Sequence, residues 1–223
     1  MKRALLLATL LTPLPILAQG FEGAYAGIYT GYAWAEDEGT SYSAVTGTKT
    51  GWTQETSPRS VQYGALAGYN WLLGEQWLLG VEADYEGRAD SGDSNYQELD
   101  GIQVDPYSGS SSIESSGSLR ARAGYLPTPD LLLFATAGYA YAEVEREWRD
   151  DFMGTRESQR NGQNGWTVGL GAEYLLNQAI SARVEYRYAD FGTEKNIAVD
   201  MWREEFNQRL TEQSLRLGAS YHF

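Results

Sequence analysis

The 223-residue sequence has no cysteine and a single histidine, His222. The first absence excludes disulfides, thiolate metal sites and cysteine nucleophiles. The second excludes any site built from several imidazoles, and neither a metal nor a cofactor is expected. Positive charge is scarce: 17 Lys and Arg stand against 30 Asp and Glu, a formal net charge of −13. Phosphate backbones would be repelled, so nucleic acid is not expected as a partner. Long apolar runs are also missing. The one candidate, residues 4–17, is too short for a membrane helix and is broken by Pro13 and Pro15. With Lys2 and Arg3 before it and Ala18 after it, this stretch reads as a secretory signal peptide, residues 1–18. Residues 19–223 then form one domain. Setting Lys2 and Arg3 aside leaves 15 basic against 30 acidic side chains in it, a formal charge of −15.

What the chain does have is glycine and tyrosine, 25 and 16 residues, with the tyrosines gathered in segments that alternate apolar and small or charged positions. Eight such segments can be written down: AYAGIYTGYAW (24–34), QYGALAGYNW (62–71), WLLGVEADYE (77–86), SLRARAGY (118–125), LLLFATAGYAYA (131–142), WTVGLGAEY (166–174), ISARVEYRY (180–188) and SLRLGASYHF (214–223). A period of two is the signature of a strand with two unlike faces. Two segments break the pattern: Leu66 falls among polar positions in the second, and Leu132 and Phe134 do so in the fifth, where they are expected to plug one end.

The connections alternate in length. LLGEQ, LPTPD and LLNQA are short, whereas 35–61, 87–117, 143–165 and 189–213 are long and polar. Short turns on one side and long loops on the other predict an all-β fold, an eight-stranded antiparallel up-and-down transmembrane β-barrel. A soluble barrel would put its bulky apolar residues inside and its charges outside. Its outer face would then carry the glycines, which a water-facing surface does not need and a crowded lumen does. The apolar face is therefore assigned to lipid. Aromatic residues at the segment ends fit two interfacial belts: Trp71, Trp77, Tyr125, Tyr174 and Phe223 at one edge, and Trp34, Tyr85, Tyr141 and Trp166 at the other.

On these residues, from FEGAYAGIYTGYAW through AGYNW, WLLGVEADYEG, LRARAGY, TAGYAYAEV and GWTVGLGAEYLLNQAISARVEYRYADFG to the terminal YHF, the chain resembles the small outer-membrane β-barrels of Gram-negative bacteria. The likeness is greatest to the opacity-type and 25-kDa outer-membrane proteins of alphaproteobacteria. It covers all eight segments and none of the long loops. It implies placement in the outer membrane, termini in the periplasm, long loops outside, and insertion by the outer-membrane assembly machinery. That machinery reads an aromatic end to the last strand, here Tyr221 and Phe223. The family's roles include envelope integrity, surface antigen and host interaction, so the resemblance speaks to fold and place more than to activity.

The inward positions carry charge. Glu82, Asp84 and Glu86 lie on the segment next to Arg120 and Arg122, and Glu173 adjoins Arg183, Glu185 and Arg187, with Arg216 on the last segment. Opposite charges on neighbouring strands predict a paired network that fills the lumen, because an unpaired charge in a packed interior is costly. A narrow ion path through the same charges is the alternative, disfavoured by the small strand number. An acyl-chain enzyme would need His222 with a serine and a carboxylate. With no second histidine and no GxSxG elbow, no enzyme is expected.

The loops offer less. Residues 87–117 are rich in Ser, Gly and acid and are expected to move freely; Asp90, Asp93, Asp100 and Asp105 match no calcium-loop spacing. EVEREWRD (143–150) and NIAVDMWREEF (196–206) keep alternating, so hairpins should extend beyond the membrane there, with Val144, Trp148, Ile197, Val199 and Met201 partly packed. Trp52, Trp148 and Trp202 are the candidate contacts for a host or surface ligand, packing under the loops being the competing reading. Arg146, Arg149, Arg156, Arg160, Arg203 and Arg209 are placed to meet lipopolysaccharide phosphates. The function expected is a structural outer-membrane barrel supporting envelope integrity, with a surface adhesin or ligand-binding protein as the alternative. A tether to the cell wall is not expected, since the chain ends with the eighth segment.

Overall fold

The computed structural model describes residues 20–223 except Asp90 and Met201, and the side chains of Asn196 and Ala198 are also left aside. The expected signal peptide, Asp90 and Met201 therefore lie outside the described residues. Ten strands form in chain order: β1 (Gly23–Ser43), β2 (Lys49–Thr56), β3 (Arg59–Leu73), β4 (Trp77–Ala89), β5 (Gly92–Leu99), β6 (Ile102–Thr128), β7 (Leu131–Asp150), β8 (Thr155–Leu175), β9 (Ile180–Val199) and β10 (Glu204–His222). All neighbours are antiparallel, and β10 returns to pair with β1, from Tyr25 opposite His222 upwards.

The eight expected segments make a closed ring in the order β1, β3, β4, β6, β7, β8, β9, β10. The parity of each segment decides its faces, because a pleated strand sends successive side chains to opposite sides. Ile28, Leu119, Leu170 and Leu217 point outwards and are 59–71% exposed. Such a row of large apolar side chains would be untenable in water and is what lipid requires.

The strands run well past the residues needed to cross a bilayer: β1 has 21 residues and β6 has 27, where about 9 to 11 suffice. The surplus builds a second, outer tier. β3 leaves β1 at Trp34 opposite Arg59, and β2 takes its place from Asp37 opposite Thr56. Likewise β4 leaves β6 at Gly87 opposite Ser115, and β5 takes over from Gly92 opposite Ser112. The replacements meet through Trp52 opposite Leu99 and Thr53 opposite Glu98.

The freely moving loop expected at 87–117 is therefore a correction: it is β5 and the upper half of β6. Its Ser and Gly residues gave no apolar alternation to read, yet they pair residue by residue with β7, from Tyr107 opposite Asp150. Being small they fit inside, where Thr56 and Ser111 share a hydroxyl hydrogen bond of 2.5 Å. Hairpins extend at 143–150 and 196–206 as the alternation there predicts.

The β8–β9 register stops at Trp166 opposite Asp190. Above it, among the described residues, β8 pairs with β7 and β9 with β10, and the latter pairing slips at Phe206/Gln208 and Arg209/Thr211. Such slips bend a strand, and Ile197 and Val199 of β9 pack inwards against Trp148 of β7.

Candidate functional site

The lumen of the lower tier holds six guanidinium groups, Arg88, Arg120, Arg122, Arg183, Arg187 and Arg216, and six carboxylates, Glu82, Asp84, Glu86, Glu173, Glu185 and Glu212. Each of the twelve side chains is 3% exposed or less. The set is electrically balanced. Arg120 is the hub, 2.5 Å from Glu82, 3.0 Å from Asp84 and 2.5 Å from Glu185. Glu82 also takes Arg183 at 2.6 Å. Arg187 reaches Asp84 at 3.1 Å and Glu86 at 3.5 Å, and Arg216 reaches Glu86 at 2.6 Å. Arg88 bridges Glu86 at 2.9 Å to Glu212 at 2.5 Å. Arg122 pairs with Glu173 at the short-turn end. Burying an ion costs several kcal/mol, and the interior recovers it only where charges are paired and their remaining lone pairs are filled. Here hydroxyls add to the set: Tyr25 donates to Glu82 at 2.8 Å, Tyr29 to Glu86 at 2.9 Å, and Ser118 to Asp84.

Glycine makes the room. Across the ladders Gly68 faces Glu82, Gly64 faces Glu86, Gly138 faces Arg120, Gly171 faces Glu185, Gly169 faces Arg187 and Gly31 faces Arg216. A Cβ at Gly68 would stand 2.5 Å from the Tyr25 ring, and one at Gly64 would stand 2.7 Å from that of Tyr29. Small next to large is how a narrow barrel accommodates long charged side chains.

Apolar layers close the network at both ends. Towards the short turns lie Phe21, Leu78, Leu126, Leu132, Phe134 and Leu175, so Leu132 and Phe134 do plug that end. Arg122 lies on the Phe134 ring, 4.2 Å from its centroid, a cation–π contact that helps to accommodate the buried charge. Towards the outer tier lie Ala35, Ile113, Ala140, Ala142, Val144, Ala189, Phe191 and Leu210. Higher still, Arg146 pairs with Asp37 at 2.8 Å and with Glu194 at 3.4 Å. Burial pushes the Glu194 carboxyl above the usual carboxylate range, against the pull of Arg146. A last layer of Trp148, Ile197, Val199 and Phe206 tops this.

Several residues sit where the sequence reading did not put them. Of the two readings of Trp148, ligand contact and packing, the structure shows packing: it is 1% exposed and turned into the barrel, because it shares the inward parity of Val144 and Arg146. Trp52 and Trp202 are half-buried against Tyr107, ring centroids 5.4 and 5.7 Å away. Arg146 is buried in its ion pairs and cannot meet lipid phosphates. The reading missed Tyr25, Tyr29, Arg88 and Glu212. The first two share the parity of Gly27 and Gly31, and the last two continue inward rows beyond the segment ends.

His222 is 1% exposed. Its Nε2 lies 3.0 Å from Ser181 Oγ and 3.2 Å from Glu173 Oε1, and Ser181 donates to the same carboxylate oxygen at 2.5 Å. A catalytic triad needs the hydroxyl and the acid on different ring nitrogens. Here both crowd one nitrogen, and the imidazole is packed between Tyr25, stacked at 5.6 Å, and the edge-on ring of Phe21. Of the loop acids, Asp93 accepts from the Ser57 amide at 2.7 Å and Asp105 from the Gln103 side chain at 3.0 Å. No group of three or more acidic or imidazole side chains is placed to hold a metal among the described residues.

A closed ring of eight strands with an apolar girdle and a charged, filled lumen is the geometry of an outer-membrane barrel, and the family model of the outer-membrane protein β-barrel domain matches residues 4–223. The chain belongs to this family. Its relatives include the 31 kDa outer-membrane immunogenic protein of Brucella melitensis, 28% identical over 95% of this chain and 88% of that protein. The 25 kDa outer-membrane immunogenic protein of Brucella canis is 30% identical over 90% of this chain and 78% of its own. Among solved structures, the outer-membrane protein OprG of Pseudomonas aeruginosa shares the fold with a TM-score of 0.56 at 14% identity, covering 92% of this chain and 99% of that one. The outer-membrane placement that the resemblance implied is thereby shown.

Proposed function

We propose that the protein is a non-conducting, non-enzymatic structural barrel that supports the integrity of the outer membrane. The observation that carries this reading is the filled lumen: a balanced network of six cations and six anions, closed by apolar layers above and below. A pore needs a continuous wet path, and three stacked apolar layers interrupt any such path here. The crowding of Ser181 and Glu173 on one nitrogen of His222 supports the non-enzymatic part.

In this reading the short turns and both termini face the periplasm and the outer tier stands outside the cell. Tyr221 and Phe223, exposed on the lipid side with rings 5.1 Å apart, present the aromatic end that the assembly machinery takes up. Outer-membrane lipid surrounds the girdle. Arg156 and Arg203 on the outer tier are exposed and are the basic side chains placed to meet lipopolysaccharide phosphates. Arg149, Arg160 and Arg209 each hold a carboxylate already. A strain lacking the protein should become sensitive to detergent and bile salts, and a version cut back to the lower tier should restore resistance. Failure of both the intact and the shortened protein to restore it would refute the structural role.

A surface adhesin is the second reading, favoured by one observation. The outer hairpin tips carry exposed apolar side chains: Val45 between β1 and β2, Ile102 at the start of β6, and Phe152 and Met153 between β7 and β8. If replacing these four with Ser abolishes binding to cells or matrix while detergent resistance is kept, the adhesin reading holds.

A further inference from the structure

The short-turn end of the barrel forms an open bowl of about 970 Å³, at the upper end of the range of pockets that take a specific ligand. Its floor is apolar, made by Phe21, Leu126 and Leu175, which belong to the layer sealing the charge network. Its rim carries three carboxylates from three parts of the chain: Glu22 ahead of the first barrel residues, Glu75 in the β3–β4 turn and Asp130 in the β6–β7 turn. Among the described residues, no Lys, Arg or His side chain lines the bowl. In the lumen the carboxylates are neutralised at close range, and on the outer wall some are, with Glu114 and Glu143 sharing Arg160 and Asp190 holding Arg209. Glu22, Glu75 and Asp130 make no ion pair among the described residues. Negative charge around a concave, low-dielectric floor focuses its field into the concavity and draws in a cation.

We propose that this bowl docks a short segment of a partner protein in which a lysine or arginine stands beside an apolar side chain. The basic group meets the rim carboxylates and the apolar group covers Phe21, Leu126 and Leu175. A bare metal ion does not fit, because the three acids are not grouped closely enough to hold one. An uncharged apolar ligand would leave the rim unanswered. The partner's compartment, the periplasm, rests on the orientation proposed above, whereas binding by purified protein does not, so the two can fail separately.

The test uses the full mature barrel in nanodiscs of zwitterionic lipid and a fluorescein-labelled Gly-Lys-Leu-Lys-Leu peptide, followed by fluorescence anisotropy. Saturable binding is expected. It should weaken tenfold or more when Glu22→Gln, Glu75→Gln and Asp130→Asn are combined, and several-fold with Leu176→Gln, an exposed lining residue. All variants should keep the heat-modifiable gel mobility of a folded barrel, since none removes a buried contact. Equal affinity in the triple variant, or equal binding of Gly-Glu-Leu-Glu-Leu, would overturn the proposal. So would displacement by spermidine at the concentration at which unlabelled peptide displaces, since that would show a site for bare cations.

Discussion

Six strands, β1 and β6 to β10, pass through both tiers of the barrel, yet the tiers are held together in different ways. The lower tier is paired all the way round and filled with twelve paired charges. The outer tier has one buried arginine, Arg146, between two apolar layers, a two-residue link between β2 and β5, and a β8–β9 ladder that, among the described residues, runs only up to Trp166 opposite Asp190. The difference follows from the solvent. In hydrocarbon an unmet backbone N–H or C=O costs several kcal/mol, so the ring must close. Above the aromatic edge water can meet those groups, so a ladder there need not run unbroken.

The sharpest way to break the contrast is to remove the hub of the network. Arg120→Ala leaves Glu82, Asp84 and Glu185 short of a partner, and stranding buried charge costs about 3–5 kcal/mol. Both tiers should suffer together, read as a large fall in the urea midpoint of heat-modifiable mobility; an unchanged midpoint would show that the network does not hold the barrel. Trp148→Ala should act on the outer tier alone. A buried Trp-to-Ala change costs roughly 3–5 kcal/mol at its site, so trypsin should cut at Arg149, Arg156 or Arg160 while the lower tier keeps its folded mobility. Loss of both at once would mean that the tiers are one cooperative unit.

Tyr29→Phe removes one hydroxyl from Glu86 and leaves the carboxylate its arginines. A hydrogen bond to a charged group contributes about 1.5–3 kcal/mol, so the urea midpoint should fall by less than with Arg120→Ala. An equal fall would assign the network's strength to its hydroxyls instead. The smallest expected effect is a pH dependence confined to the outer tier. Glu194 faces Arg146 and Asp37, and burial raises its carboxyl above the value it has in the unfolded chain. A raised carboxyl favours the folded state below the unfolded value and loses that contribution as pH rises through the folded one. Trypsin resistance of the outer tier should therefore decline as pH rises through that range, and Glu194→Gln should flatten the decline. The same slope in both proteins would exclude Glu194 as its source.

Much of the lower tier was legible because its signal is local. Period-two alternation in WLLGVEADYE and ISARVEYRY assigns faces without any knowledge of partners, and inward parity alone brings Glu82 beside Arg120 and Glu185 beside Arg216. Tyr25 and Tyr29 were missed because aromatic residues in the first segment fall on both parities, Tyr32 and Trp34 outwards and these two inwards. Parity with Gly27 and Gly31 held the answer. Arg88 and Glu212 lay just beyond the written segment ends, where the inward rows continue. The upper half of β6 was not legible at all: SGSSSIESSG has little apolar contrast, and its strand exists because β7 is long enough to pair with it. Trp148 was legible in part, since EVEREWRD places Val144, Arg146, Trp148 and Asp150 on one face, and the unbroken β7 strand continues onto it the inward parity of Thr136 and Ala140.

A lumen that is filled and sealed passes no ions, and planar-bilayer recording of the purified mature barrel measures that directly. A flat baseline under applied voltage is expected of the wild-type protein. Steady, reproducible conductance steps from the wild-type barrel would contradict it.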